Sequence, residues 1–329
     1  MLVSEGAELG KMNIIMMTEN DPAGVAISFR NAINRFTDHN CRLITTASRY
    51  GFDYEKDIHL PNLNGGGYDE IEQLMKDADI FHFHILFDEE RTLGPLKVKD
   101  YLKGKQIVHH HHGHPDFRSN PDKYCEKYRN SERSVFVSTP DLLKLIPFAT
   151  WVPNPVPVDD AFFIPAEISQ DGKVMLCQAP TRKDLKNTSE FIRVAKEIRR
   201  EYDNVDYIII ENTRYHDCLL KKRECHIHFD HMQGYYGVSS LESLSQGRPV
   251  IAGLDDFNIE HIKRFTGSQT LPWIIARNTE ALSVQIKQLV CDADEREGKG
   301  IESRTFMAER WSERNVLETL FDAYEKVPG

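Results

Sequence analysis

Short apolar runs recur along this chain and are separated by segments long enough to form helices. In the first half the runs cover residues 12 to 18 (MNIIMMT), 41 to 47, 78 to 86, 105 to 112 and 134 to 139. In the second half they cover residues 173 to 179, 206 to 211, 226 to 230 and 249 to 253. Continuous apolar strands that alternate with helices are typical of a parallel sheet covered on both faces. The alternation therefore predicts an α/β fold with doubly wound sheets.

A proline-rich stretch divides the chain into two parts of similar size. Residues 152 to 165 (VPNPVPVDDAFFIP) contain four prolines, which are disfavoured in helix interiors and central strands. A chain of 329 residues is also long enough for about two domains. We therefore predict a linker here, after an N-terminal extension at 1–11 and a first Rossmann-like domain at 12–153. A second such domain at 154–303 and a terminal helical segment at 304–329 complete the expected organisation.

Composition limits the kinds of protein this chain can be. Hydrophobic residues make up 40% and charged residues 28%, and the net charge is −10. This balance is typical of a globular protein, and it argues against nucleic-acid binding through a broadly basic surface. The six cysteines are scattered without a C-x-x-C pair. No apolar run approaches the roughly 20 residues that a membrane span needs, and the first residues lack a signal-peptide pattern. We expect a cytoplasmic location with reduced thiols.

The stretch GYYGVSSLESLSQGRPVIAG, residues 234 to 253, carries the clearest site pattern. Gly237 allows a tight turn, and Ser239 or Ser240 can cap a helix that begins there. The free N–H groups at such a helix start are suited to a phosphate. Glu242 lies in the first turn, where its carboxylate either contacts a ribose or simply favours the helix start.

Four consecutive histidines, His109 to His112, lie in the stretch QIVHHHHGHPDF. They could form a zinc site with His82 and His84 of a neighbouring strand, represent an expression scar, or end a strand at a substrate. The spacing does not require a metal, and we expect none. The strand pattern that starts at Gln106 argues against a scar.

Five segments in order resemble the retaining glycosyltransferases of family 4. Residues 234 to 253 resemble the signature E-G-F-G-x-x-x-L-E-A-M-A-x-G-x-P-V-I-A, and a variant subgroup reads G-W-Y-G at its start. Four further segments resemble the family's other motifs: ADIFHFHIL, IVHHHHGH, VPNPVPVDDAFFIP and CQAPTRKDLKNTSEFI. The last of these is closest to the A-P-T-x-x-x-x-K-G-T of the same subgroup.

The resemblance implies a fold and an activity. The fold is GT-B, in which two Rossmann-like domains face each other across a cleft. The first domain would bind the acceptor and the second a nucleotide-sugar donor, while the segment 304–329 would pack back on the first domain. The activity would be sugar transfer with retention, without a metal or cofactor, and with at most peripheral contact with the membrane inner face. A non-catalytic nucleotide-sugar-binding protein and a nucleotide-sugar epimerase of the same fold stay open as alternatives.

Position by position, the resemblance implies a set of donor-binding residues. They are Arg182, Lys186, Glu242, Gly237, Tyr236, Ser239 and Gly24. The basic pair would hold the diphosphate and Glu242 the ribose. His112, which precedes Gly113 as in the family, would face the transferred sugar and act as the catalytic residue.

The sequence departs from the family pattern at two of these positions. Gly234 replaces the glutamate that usually contacts the donor sugar, and Asn187 replaces the glycine after the lysine. Asp230 or His231 would then supply the sugar contact. His82 and His84 are expected on the acceptor side. No pattern in the sequence identifies the acceptor, the nucleotide base or the transferred sugar. No specific nucleic-acid partner is expected.

Overall fold

A computed structural model of the protein describes residues 10–49, 53–64, 66–129, 131–167 and 172–326. The extension expected at 1–11 lies mostly outside the described residues. The rest forms two parallel sheets flanked by helices, which confirms the predicted α/β class.

The first sheet contains seven parallel strands in the order β3-β2-β1-β4-β7-β8-β9. The strands of this half, including a separate antiparallel hairpin formed by β5 and β6, are β1 (Asn13–Thr18), β2 (Asn40–Thr45), β3 (Ile58–His59), β4 (Ile80–His84), β5 (Thr92–Leu93), β6 (Leu96–Lys97), β7 (Gln106–His111), β8 (Ser134–Val137) and β9 (Thr150–Trp151). The central strands β1, β4 and β7 are buried on both faces, and this explains why none of them contains an aspartate, glutamate, lysine or arginine.

The second sheet contains five parallel strands in the order β11-β10-β12-β13-β14. They are β10 (Val174–Gln178), β11 (Val205–Ile209), β12 (Ile227–Phe229), β13 (Val250–Ala252) and β14 (Ile274–Ile275). The proline-rich stretch runs between the sheets. Its first half, residues 152 to 158, is largely buried, with Val152, Val156 and Val158 in the main hydrophobic core, and residues 158 to 164 form turns. The indole of Trp311 donates a hydrogen bond to the carbonyl oxygen of Asn154 in this segment, at 3.0 Å.

Eleven helices lie in the described residues. They are α1 (Val25–Phe36), α2 (Gly67–Asp77), α3 (Pro115–Ser119), α4 (Pro121–Arg129), α5 (Thr188–Glu201), α6 (Tyr215–Arg223), α7 (Val238–Ser245), α8 (Asp256–Thr266), α9 (Thr279–Cys291), α10 (Ala293–Glu309) and α11 (Glu313–Glu325). Within the ranges described, none is both long and apolar enough to cross a bilayer.

The terminal segment forms two helices, and α11 packs against α1 of the first half. Two hydrogen bonds attach it to the first sheet. The hydroxyl of Tyr324 lies 2.6 Å from Nδ1 of His82, and Nε2 of Gln106 donates to the carbonyl oxygen of Tyr324 at 2.9 Å. The chain therefore returns to the first sheet at its end, although the expected domain boundaries stay a prediction.

Histidines of β4 and β7 share one face of the first sheet. His84 pairs with His110 in the register of the two strands. Because side chains alternate along a strand, His82, His84, His110 and His112 project to the same side. Their rings form a stack, in which the His82 and His84 centroids are 4.3 Å apart and those of His110 and His112 are 4.5 Å apart.

His109 and His111 project from the opposite face of β7. Nε2 of His109 lies 3.0 Å from a carboxylate oxygen of Glu89, and Nε2 of His111 lies 3.1 Å from the hydroxyl of Tyr128. The run of four histidines is therefore divided between two environments by the pleat of the strand.

These histidines make stability depend on pH. Burial lowers the pKa of five of them well below its ordinary value: His82, His84, His110, His111 and His112. A histidine that stays neutral in the folded state contributes its full share of stability above its unfolded pKa of about 6.5. That contribution is lost as pH falls toward the folded pKa, because the unfolded chain takes up the proton first.

We expect the free energy of unfolding to decrease between about pH 6.5 and pH 5. Each such histidine costs about 1.4 kcal/mol per pH unit in this window. Burial raises the pKa of Asp21 to about 6 and of Glu313 to about 7, so these two groups oppose the trend without outnumbering the histidines. Urea unfolding across this range measures the slope of the free energy of unfolding against pH, which reports the number of protons taken up on unfolding. His110→Gln should reduce that number by about one. An unfolding free energy that stays constant or rises on acidification would contradict the prediction.

Candidate functional site

The candidate site lies where the strand order of the second sheet reverses. In the order β11-β10-β12-β13-β14, the crevice beyond the carboxyl ends of β10 and β12 is the switch point at which open parallel sheets bind ligands. Lys186 follows β10 and Asp230 follows β12, and the structure brings them together. Nζ of Lys186 lies 3.5 Å from Oδ1 of Asp230.

Asp230 is buried and holds the start of α7. One of its oxygens, Oδ2, accepts hydrogen bonds from the backbone N–H of Gly237 and the hydroxyl of Ser240, both at 2.6 Å. Burial opposes ionisation, but the nearby His231 and Lys186 and these two hydrogen bonds hold the pKa of Asp230 well below its ordinary value. An anionic carboxylate therefore already occupies the helix start that we expected to receive a phosphate directly.

This arrangement corrects the expected capping of α7. The helix begins at Val238, with Gly237 as its N-cap, so both serines lie inside the first turn. Ser240 donates to Asp230, and Ser239 accepts hydrogen bonds from Lys222. The cap is supplied by a side chain from the preceding strand end, which no local spacing rule detects.

Space around Gly237 at the switch point is limited. A Cβ atom on Gly237 would lie 2.9 Å from Nζ of Lys186 and 3.1 Å from Oδ1 of Asp230. The amide of Gln178, the last residue of β10, donates to the carbonyl oxygens of Lys186 and Asp230 at 2.6 and 2.9 Å. Gln178 thus fixes the two strand ends relative to each other.

Asn187 explains one departure from the family pattern. It adopts the left-handed conformation, at φ 51°, which favours glycine and which asparagine tolerates better than most residues. Its Oδ1 accepts hydrogen bonds from the N–H of Met232 and from Nε2 of Gln233, at 2.9 and 3.1 Å. The asparagine therefore preserves the turn and also ties it to the loop after β12.

Arg182 lies in the same loop as Lys186 but makes different contacts. Its guanidinium is half-exposed and forms a forked ion pair with Asp184, with contacts of 2.9 and 2.5 Å. Of the two cations expected at the diphosphate, the structure places Lys186 in the crevice and Arg182 on its exposed rim.

Glu242 is nearly buried and is paired inside the protein. Its Oε2 lies 2.6 Å from Nζ of Lys222, a side chain with no exposed surface. Lys222 also donates to the carbonyl and hydroxyl oxygens of Ser239, at 2.8 and 2.9 Å. A fully buried ammonium needs such a counterion, so Glu242 stabilises the buried Lys222, in addition to the ribose contact expected of it.

Gly24 is the corresponding turn residue of the first half. It is left-handed, at φ 64°, and a Cβ there would lie 2.6 Å from the ring of Tyr54. The carboxylate of Asp21 accepts hydrogen bonds from the N–H groups of Val25 and Ile27, each at 3.0 Å, and so caps α1. The glycine allows Tyr54 to pack directly on the backbone of this turn.

Tyr54 also connects the first half with the second. Its ring lies 4.2 Å from that of Tyr215, at the start of α6, and the N–H of Tyr215 donates to Asp53 at 2.7 Å. The Glu242 carboxylate contributes to raising the pKa of both tyrosines, after burial. The region between Gly24 and Glu242 is therefore lined by two tyrosines.

His112 lies beyond the carboxyl end of β7, half-buried, with Nε2 2.9 Å from Nδ1 of His84. Burial lowers its pKa to about 3, so the ring is neutral at ordinary pH. The neighbouring Gly113 is left-handed at φ 71° and its carbonyl oxygen accepts a hydrogen bond from Arg118 at 3.2 Å. The end of this strand is thus fixed by a cation.

Arg118 bridges from this strand end to the second half. Its guanidinium pairs with Asp141 at 2.7 Å and lies 4.5 Å above the ring of Tyr235. Tyr235 in turn makes an edge contact with His231, whose Nε2 is 3.6 Å from Asp230. Burial lowers the pKa of His231 to about 4, so this histidine is neutral beside an ionised aspartate.

Three predicted site residues lie elsewhere than expected. Tyr236 has no exposed surface and packs between Trp273 and Trp311, whereas its neighbour Tyr235 lies against Arg118 and His231. His82 and His84 are likewise buried, behind His112, and not on an open acceptor surface. The side chains of these three residues are therefore covered by protein in this structure, and the donor contact expected of Tyr236 and the acceptor contacts expected of the two histidines stay predictions.

Gly234, the position of the missing glutamate, lies beside a different carboxylate. It is left-handed at φ 90° and pairs with Leu254, and its carbonyl oxygen accepts a hydrogen bond from the N–H of Asp255 at 2.8 Å. A Cβ on Gly234 would lie 3.4 Å from Oδ2 of Asp255. Asp255 also pairs with Lys144 of the first half at 2.7 Å.

Three important residues, Lys222, Arg118 and Tyr54, had no signal in the sequence, and a fourth, Gln178, had a weak one. Lys222, Gln178, Arg118 and Tyr54 act through partners that lie far away in the chain. Gln178 alone offered a clue, as a polar residue that ends an apolar strand.

Comparison with known proteins found similarity in structure only. No protein-family model matches the chain, and no curated protein matches its sequence. A glycosyltransferase from Rickettsia africae has a TM-score of 0.61 at 13% identity, covering 97% of this chain and 99% of that one. Anabaena HepE in complex with UDP and glucose has a TM-score of 0.63 at 10% identity, covering 95% and 99%.

A UDP-N-acetylglucosamine 2-epimerase is also similar, with a TM-score of 0.54 at 13% identity, covering 98% of this chain and 99% of that one. The structural similarity to these proteins extends over nearly the whole of each chain and includes the two parallel sheets, so it identifies the fold. The chain has the GT-B architecture, two Rossmann-like domains that face each other across a cleft.

Proposed function

We propose that this protein is a retaining glycosyltransferase that moves a sugar from a nucleotide-diphosphate donor to an acceptor hydroxyl group. The observation that carries the proposal is the pairing of Lys186 with Asp230 at the switch point of the second sheet, beside Gly237. Structural neighbours that bind UDP and glucose support a nucleotide-sugar donor. The free cysteines of the chain fit the expected cytoplasmic location.

Lys186 has the properties needed to hold the donor diphosphate. Its side chain is about a quarter exposed, so the ammonium is both positioned by Asp230 and open to the cleft. An ammonium has three N–H donors, and one directed at Asp230 leaves two for phosphate oxygens. The leaving diphosphate gains negative charge as the glycosidic bond breaks, so this contact strengthens in the transition state and speeds the reaction. Such a cation does the work that a metal ion does in other transferases.

His112 is proposed to contact the transferred sugar. Its Nε2 is engaged by His84, which leaves Nδ1 for a sugar hydroxyl. The ring is neutral, so it orients the sugar by hydrogen bonding and does not supply charge. In front-face transfer the acceptor oxygen bonds to the anomeric carbon as the carbon–phosphate oxygen bond breaks. The acceptor proton then passes to the departing phosphate oxygen, and no protein base is required.

An epimerase is the second candidate, because a structure of that activity shares the fold over nearly the whole chain. The neutral His231 beside ionised Asp230 is the pair that would serve its proton transfers. A panel of nucleotide sugars separates the candidates. Release of nucleoside diphosphate that depends on an added acceptor supports transfer, isomerised sugar supports the epimerase, and binding without turnover supports a non-catalytic binding protein.

Replacing Lys186 tests the donor site. Lys186→Ala removes a charge-assisted contact of about 1.5 to 3 kcal/mol, and we expect affinity for the nucleoside diphosphate to fall about 10- to 150-fold. Lys183→Ala is the matched control, because Lys183 lies in the same loop and pairs with Glu211 at the surface. Calorimetric titration of both variants gives the comparison. Equal affinities would remove Lys186 from the site.

Replacing His112 tests the sugar contact. We expect His112→Ala to reduce kcat by about 10- to 100-fold while affinity for the nucleoside diphosphate is retained, because the histidine is proposed to contact only the sugar. His114→Ala is the control, since His114 follows two residues later and caps α3. If both substitutions had the same effect on kcat, the assignment of His112 would be wrong.

A further inference from the structure

Three buried histidines bring their ring nitrogens together in the first half of the molecule. His82, His84 and His110 each offer a nitrogen within 4.8 Å of the nitrogens of the other two. All three side chains are buried, at 0 to 1% exposure. We call this group the histidine cluster.

The hydrogen bonds in the cluster leave some nitrogens unused. Nε2 of His82 lies 3.2 Å from Nδ1 of His110, and Nδ1 of His84 lies 2.9 Å from Nε2 of His112. Nε2 of His84 and Nε2 of His110 are buried, and neither has a hydrogen-bond partner among the described residues. A buried polar atom without a partner is costly, so the unpartnered Nε2 of His84 indicates a missing ligand.

We propose that the histidine cluster binds one divalent transition-metal ion, with Zn²⁺ as the ion that fits it best. Neutral imidazole is a preferred ligand for zinc, and burial keeps these rings neutral. In a tetrahedral site with zinc–nitrogen bonds of about 2.0 to 2.1 Å, two ligand nitrogens lie about 3.3 Å apart. The distance of 3.2 Å between Nε2 of His82 and Nδ1 of His110 matches that separation.

The remaining geometry requires rotation of rings within a fixed backbone. The His82 and His84 planes are nearly parallel, at 11°, whereas a metal ion lies in the plane of each ring that binds it. Rotation about the Cβ–Cγ bond of His84 brings its lone pair toward the ion and leaves the strands in place. Three histidines then supply three ligands, and a solvent molecule completes the tetrahedron.

Tyr324 provides the support that zinc-binding histidines usually have. A histidine ligand commonly donates its second N–H to an acceptor that fixes the ring orientation. The hydroxyl of Tyr324 is 2.6 Å from Nδ1 of His82 and so occupies that role, which leaves Nε2 for the ion. Because Tyr324 belongs to α11, the ion would also strengthen the attachment of the terminal helix to the first sheet.

This inference replaces the sequence expectation of no metal at these histidines, and it does not depend on the proposed sugar transfer. Titration of chelator-treated full-length protein with Co²⁺ tests it. We expect one equivalent to bind with the visible absorption of tetrahedral cobalt, and Zn²⁺ to displace it. Zn²⁺ should also raise the thermal midpoint, since a ligand that binds only the folded state stabilises it.

Substitutions assign the binding to the cluster. His84→Ala and His110→Ala should abolish the cobalt absorption, whereas His111→Gln, on the opposite face of β7, should keep it. Tyr324→Phe retains every ligand and should weaken Zn²⁺ affinity about 10- to 100-fold at unchanged stoichiometry. This variant decides the question if the histidine variants fold poorly by circular dichroism. Absence of cobalt binding in the unmodified protein, or affinity unaltered in Tyr324→Phe, would overturn the proposal.

Discussion

The carboxylate of Asp230 is the interaction on which the candidate site depends. It is buried at the end of β12, accepts hydrogen bonds from the first turn of α7, and lies against the ammonium of Lys186. Its low pKa keeps it ionised, so the helix start and the lysine share one negative charge. Loss of that charge would leave Lys186 without its counterion and the N–H of Gly237 without an acceptor. Helix, strand and cation are therefore positioned as a unit.

The sequence predicted the parts of the fold that have local causes. The buried strands β1, β4, β7 and β10 contain no aspartate, glutamate, lysine or arginine, and each was predicted within about two residues of its observed bounds. The two-residue strands β3, β9 and β14 are too short to show any periodicity. Among the candidate site residues, Lys186 was implied by the family resemblance, and Asp230 could be singled out because it directly follows a strand, where ligand sites of open parallel sheets lie. Lys222 could not be identified, because its role depends on its pairing with Glu242, which lies twenty residues further along the chain.

The histidine run shows how one strand distributes identical residues between different roles. Alternation along β7 places His110 and His112 with the histidines of β4, and His109 and His111 with Glu89 and Tyr128. The sequence could predict this alternation, but not the register that sets His84 opposite His110. That register sets the composition of the stack, because a shift of one residue would bring His109 or His111 opposite His84 in place of His110. The environment of each histidine therefore follows from strand pairing and not from its place in the run.

The missing family glutamate has a structural explanation at Gly234. The left-handed backbone there disfavours any side chain, and the space that a Cβ would enter borders the carboxylate of Asp255. A carboxylate is thus present at this edge of the sheet, but it comes from the end of β13 and is paired with Lys144 of the first half. A donor sugar that needs a carboxylate at this position would compete with Lys144 for Asp255. If the proposed donor sugar binds here, contact between the two halves and contact with the sugar would both depend on the side chain of Asp255.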